Sequence, residues 1–149
     1  MNKKNGFTLI ELVIVIIILG ILAATAVPKL VDLQGDARES SLQGVKAALE
    51  EGATLAYSKA AIGGVEKNPS TTINIDGDVA ITYGYPDASS AGIMTMVDLS
   101  TGDWGSDLNG STFYIFTSGA VRTTKGVCDV SYKLGTSPAR PTIAVNDGC

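Results

Sequence analysis

The sequence predicts an α+β protein in which one long N-terminal helix packs on an antiparallel β-sheet. The first half of that helix is apolar and the second half amphipathic. Three observations carry this. Residues 7–27 form a nearly unbroken apolar run, and apolar residues then recur at three- and four-residue spacing as far as Ala60. Beyond Gly63-Gly64 the pattern changes to short alternating runs separated by Gly, Ser and Asp, which is the signature of strands and turns.

The apolar run sets the organisation of the chain. Of the 21 residues from Phe7 to Val27, 17 are apolar, the exceptions being Thr8, Glu11, Gly20 and Thr25. As a helix it spans roughly 31 Å, the thickness of a bilayer's hydrocarbon core. Lys3 and Lys4 precede it and hold that end in the cytoplasm by the positive-inside rule. The other 128 residues hold 50 of the 67 apolar residues, an ordinary soluble composition. A membrane-competent segment is thus joined to a polar, Gly-rich body. The chain has no histidine, which removes Ser–His–Asp and Cys–His catalysis and His-ligated zinc or iron. We read it as not an enzyme, with no cofactor and no metal.

Glu11 distinguishes three readings of the run. A carboxylate within a membrane helix costs roughly 2.5–3.5 kcal/mol at the centre and less near an end, so it requires a partner. A plain anchor gains nothing from it. Neither does a secretory signal peptide cut after the small residues Ala24-Thr25-Ala26. Cleavage between Gly6 and Phe7, however, creates an ammonium one helical turn before Glu11, and the two charges can neutralise each other within the membrane or between subunits.

The residues Lys3-Lys4-Asn5-Gly6, Phe7-Thr-Leu-Ile-Glu11-Leu-Val resemble the leader junction of type IV pilins and pseudopilins. The resemblance implies that a prepilin peptidase removes residues 1–6 after Gly6 and that the new amine on Phe7 is methylated. It also implies that Glu11 pairs with the N-terminus of an adjacent subunit during assembly, and that Pro28 kinks or locally melts the helix, which is also weak at Gly20. The segments Leu33–Leu49, Tyr57–Ile62 and Tyr83–Pro86 are similar to pilins of the mannose-sensitive haemagglutinin type. The family implies the type IV pilin fold and a helical homopolymer as the principal partner. The inner-membrane pilus assembly machinery is a second partner. The prepilin would reside in the inner membrane of a Gram-negative bacterium, and the product would be an extracellular adhesive pilus. A major pseudopilin of a type II secretion system and a minor pilin or adhesin are the alternatives.

Residues 28–62 are the amphipathic part. Leu30, Leu33, Ala37, Val45, Leu49, Ala53, Ala56 and Ala60 make the apolar face, with Lys29, Asp36, Glu39, Lys46, Glu50 and Lys59 on the others. The helix should end at Gly63-Gly64. From Phe7 to Ile62 it would reach roughly 84 Å, so half of it must protrude from any compact body. Residues 63–149 are the β-rich body. Ile73 to Tyr83 alternate about Asp76-Gly77, a hairpin signal, and a second hairpin is expected from Phe113–Phe116 through Ser118-Gly119 to Ala120-Val121. Strands are also expected at Val127–Tyr132 and Thr142–Val145. The stretch from Asp87 to Gly110 reads as loop with a short strand at Ile93–Val97.

Cys128 and Cys149 are the only cysteines, and in an exported chain a disulfide is the economical reading against two free thiols. The resemblance places such a loop on the pilus surface. Without the leader, the side chains carry 9 basic and 15 acidic groups, which disfavours nucleic acid as a partner. Arg122, Lys125 and Lys133 form a basic group best read as a solvated strand face. Asp98, Asp103 and Asp107 with Asn109 could coordinate calcium, but they lack EF-hand spacing and read better as turn residues, as do Asp76 and Asp78. Asn109-Gly-Ser111 fits a glycosylation pattern of high chance frequency. Trp104 and Tyr85 read as packing residues rather than sugar contacts.

Overall fold

In the computed structural model the structure describes residues 6–119, 124–135 and 139–149, and not the side chains of Val31 and Asp32. A single helix, α1, runs from Leu9 to Ile62. Gly20 and Pro28 both lie inside it. The segment is helical here and not melted, because one proline deletes only the bond to the Ala24 carbonyl and clashes locally while its neighbours keep theirs. The chain divides into two units, one ending at Asp36 and one running from Ala37 to Cys149.

In the second unit, Leu42, Val45, Leu49, Ala53, Ala56 and Ala60 are all buried, so the three- and four-residue spacing does form one stripe. The helix stops at a Schellman cap: Gly64 takes φ 67°, its N–H donates to the Ala61 carbonyl, and the Val65 N–H donates to the Ala60 carbonyl. Val65 then packs against Ala60, the apolar contact that accompanies this cap.

Two antiparallel sheets follow. The first has the order β1 (Thr71–Asn74), β2 (Asp78–Thr82), β3 (Tyr85–Pro86). Its hairpin turns at Ile75-Asp76-Gly77 and pairs Asn74 with Asp78, as the alternation predicts. The second is β4 (Trp104–Asn109), β5 (Thr112–Thr117), β6 (Asp129–Lys133) and β7 (Thr142–Asn146), neighbouring one another in that order. Phe113, Ile115, Val130 and Tyr132 point to the helix stripe and form the main core with Leu42, Leu49 and Ile93.

Three expectations are corrected. Trp104–Asn109 is a strand, not loop: it pairs with β5 over six residues through the two-residue turn Gly110-Ser111, where Gly110 has φ 60°. Its polar sequence is that of a sheet edge, which needs one paired side and little burial. Ile93–Met96 is a 3₁₀ turn, not a strand, wedged against the helix at Gly52. A Cβ on Gly52 would lie 2.9 Å from the Met96 Cβ, so the close approach requires glycine. The partners of Phe113–Phe116 are β4 and β6; the expected return at Ala120-Val121 lies outside the described residues.

Candidate assembly segment

The first residues of α1 are held by a capping box. The Thr8 N–H and Thr8 Oγ1 both donate to Glu11 Oε2, at 2.9 and 2.8 Å. In return the Glu11 N–H donates to Thr8 Oγ1 at 3.2 Å. The Thr8-x-x-Glu11 spacing is a standard sequence signal for this arrangement. The carboxylate therefore has a local partner already, and it sits at the helix N-terminus, where the dipole favours a negative charge.

Behind the box every apolar side chain from Leu9 to Leu22 is exposed. Phe7 is 79% and Leu9 78% accessible. The helix is long and apolar enough to cross a membrane. A uniformly apolar stretch with nothing covering it is either lipid-facing or awaits other helices. Gly6 and Phe7 lie just before the helix, in exposed, non-helical backbone that a protease can approach.

In the body the two cysteines are joined, Cys128 to Cys149. Cys128 is buried and non-helical with φ 50°, a left-handed conformation kept by its N–H bond to the Asp147 carbonyl and by the disulfide. Next to it Asp129, fully buried, accepts hydrogen bonds from the Gly126 N–H at 2.8 Å and from Asn146 Nδ2 at 2.6 Å. The C-terminal loop is thus fastened by a covalent bond and a polar clasp side by side. Nothing local in the sequence marks Asp129 for this role.

Lys125 of the expected basic group binds Asp107 at 2.8 Å, so that carboxylate is held by a cation. Lys133 is exposed, and Arg122 lies outside the described residues. Among the described residues no three Asp, Glu or Cys side chains converge as metal ligands. Tyr85 stacks on Tyr57 with centroids 4.8 Å apart, and half-buried Trp104 packs on the main core. The pattern Asn109-Gly110-Ser111 forms the exposed tip of the β4–β5 hairpin.

The family model described as the prokaryotic N-terminal methylation motif matches residues 1–27. Its N-terminal segment is similar to those of type IV pilins. Two relatives match longer stretches of the chain. The type IV narrow pilus major component PilA5 of Thermus thermophilus is 46% identical over 54 residues, 36% of this chain and 47% of its own. The fimbrial protein Q of Moraxella bovis is 46% identical over 69 residues, 41% of this chain and 44% of its own. The chain therefore matches less than half the length of either. No solved structure matches it. The architecture is α+β, one long helix with antiparallel sheets, like that of a type IV pilin.

Proposed function

We propose that this chain is the subunit of a type IV pilus. Residues 1–6 are removed after Gly6 by a prepilin peptidase, and the amine of Phe7 is methylated. The Phe7–Val27 helices then leave the inner membrane for the core of a helical homopolymer, driven by the inner-membrane assembly machinery. The observation that carries this is the uncovered apolar helix directly behind the Gly6-Phe7 junction. Such a segment gains its burial from identical neighbours. Glu11 supplies the counter-charge to the incoming amine and so selects the register, while Gly20 and Pro28 are where the helix yields as the segments pack.

Within that reading, the C-terminal disulfide favours a surface-exposed pilus over the pseudopilus of a secretion system. The body faces outward and serves attachment, as a major subunit of the mannose-sensitive haemagglutinin kind in a Gram-negative bacterium. That subtype rests on the resemblance of Leu33–Leu49 and Tyr57–Ile62 alone. Intact mass and N-terminal analysis of the mature protein test the core of the proposal. A methylated Phe7 terminus is expected. A chain beginning at Val27 is a cleaved signal peptide and overturns the proposal, and an uncut Met1 terminus leaves a plain anchor.

A further inference from the structure

Of the three methionines of the chain, Met94 and Met96 both fall in the 3₁₀ turn Ile93–Met96, between the two sheets in sequence. In such a turn residues three apart lie one above the other, so Ile93 and Met96 share a side. Ile93 is fully buried in the main core. Met96 packs against that core and also against the smaller cluster of Ala60, Val79 and Ile81, whereas Met94 packs against the main core. Both methionines are half-buried, and both line an open groove of about 600 Å³ that runs between this turn and the β1–β2 turn. Met96 also lines a second hollow of about 360 Å³ beside Gly52. The charged side chains of both linings are of one kind. Asp76, Asp78, Asp98 and Glu51 are carboxylates, which accept hydrogen bonds and do not donate them. Thr95 carries the only side-chain donor in either lining, and its hydroxyl already donates to the Gly92 carbonyl at 2.7 Å.

We propose that Met96 is a peroxide-sensitive modification site whose oxidation loosens the 3₁₀ turn from the helix. The inference concerns the body alone and does not rest on the polymer proposed above. Hydrogen peroxide is small and uncharged, so it enters a groove of carboxylates that would repel an anionic oxidant. A lone pair of Met96 Sδ attacks one peroxide oxygen. The S–O bond forms, the O–O bond breaks, and the departing hydroxide takes the proton of the transferred oxygen and leaves as water. Sulfur gives up an electron pair and peroxide gains it, so the thioether becomes a sulfoxide. The sulfoxide oxygen is a hydrogen-bond acceptor in a lining that has only carboxylates and an engaged hydroxyl. The side chain therefore turns out to water and gives up its contacts with both clusters. The turn then loses the apolar cover beside Gly52, where its backbone is closest to the helix. Met94 bridges no second cluster, so its oxidation costs little.

The test treats the full chain, folded in detergent, with hydrogen peroxide. Fragment mass spectrometry locates the added oxygen, and urea unfolding reads the midpoint before and after treatment. Oxygen is expected on both Met94 and Met96, with a fall in midpoint of roughly 0.5–1 M, the size expected when one methionine loses its burial. Leucine keeps the volume of methionine and takes up no oxygen. Met96→Leu should therefore keep its own midpoint under peroxide, whereas Met94→Leu should fall as far as the unaltered chain. Three results would each overturn the proposal: a folded chain that takes oxygen on Met94 and not on Met96, a chain oxidised at Met96 with an unchanged midpoint, or a Met94→Leu variant whose midpoint no longer responds.

Discussion

Glu11 carries two separable jobs, and substitutions at two positions tell them apart. Its carboxylate closes the capping box with Thr8, and its charge is proposed to meet the amine of a neighbouring subunit. A box tolerates Gln in place of Glu at this position. Glu11→Gln therefore retains the cap and deletes the charge, whereas Thr8→Val deletes the cap and retains the charge. Losing the cap costs about 1 kcal/mol of helix stability, felt in the first turn only. Losing the charge leaves an ammonium in an apolar core, about 3–5 kcal/mol if no other partner is found. At about 1.4 kcal/mol per factor of ten, that is more than a hundredfold in the docking equilibrium. Neither variant should impair membrane insertion, because Glu11→Gln removes a carboxylate and Thr8→Val a hydroxyl, and each makes the segment less polar. Both should still lose residues 1–6, since Gly6 and Phe7 are unchanged. The assay counts surface filaments by electron microscopy and sheared pilin by immunoblot, against membrane-fraction pilin of confirmed N-terminal mass. Glu11→Gln should nearly abolish filaments; Thr8→Val should reduce them modestly. Normal filament numbers from Glu11→Gln would refute the counter-charge argument, and a Thr8→Val defect equal to that of Glu11→Gln would mean that the cap alone is what Glu11 provides.

The other predictions concern the body. Replacing both Cys128 and Cys149 by Ser should lower unfolding stability by about 3 kcal/mol, read as a lower urea midpoint in detergent, without changing leader removal. An unchanged midpoint would show that the Asp129 clasp alone fixes the loop. Tyr132 is fully buried and donates to the Pro86 carbonyl at 2.7 Å, so Tyr132→Phe should cost about 1–3 kcal/mol by leaving that carbonyl unpaired. Burial first, then the charges of Asp87 and Tyr85, push the Tyr132 phenol well above its ordinary value. A raised folded-state value means that this contribution is complete below about pH 10, where an unfolded tyrosine begins to ionise, and is lost as pH rises beyond it. Alkaline unfolding followed by phenolate absorbance should show one tyrosine ionising only with unfolding, and Tyr132→Phe should remove that step.

Elements whose cause is local were legible in the sequence. The helix end at Gly63-Gly64 was legible because a left-handed cap needs glycine, and the hairpin about Asp76-Gly77 because the side-chain period of a strand is two. Of the apolar face read from 3.6 residues per turn, Val45, Leu49, Ala53, Ala56 and Ala60 are buried, with Leu42 beside them, whereas Leu30 and Leu33 are exposed. Elements whose cause lies elsewhere in the chain were not. Trp104–Asn109 has too few apolar residues to declare itself; it is a strand because β5 supplies the register and Phe116 lies over Gly105. Ile93–Met96 has strand-like composition, yet it turns because the approach to Gly52 leaves no room for an extended run.

The sequence by itself therefore determined the apolar N-terminal segment and the helix that follows, since each depends on spacing along a single stretch of chain. Only the tertiary structure decided that Asp129 is buried beside the disulfide, held by Gly126 and Asn146. It alone brought Asp76, Asp78 and Asp98 to one groove with Met94 and Met96. Hydrophobic periodicity records which face of an element is buried; it carries no record of which distant residues that burial brings together.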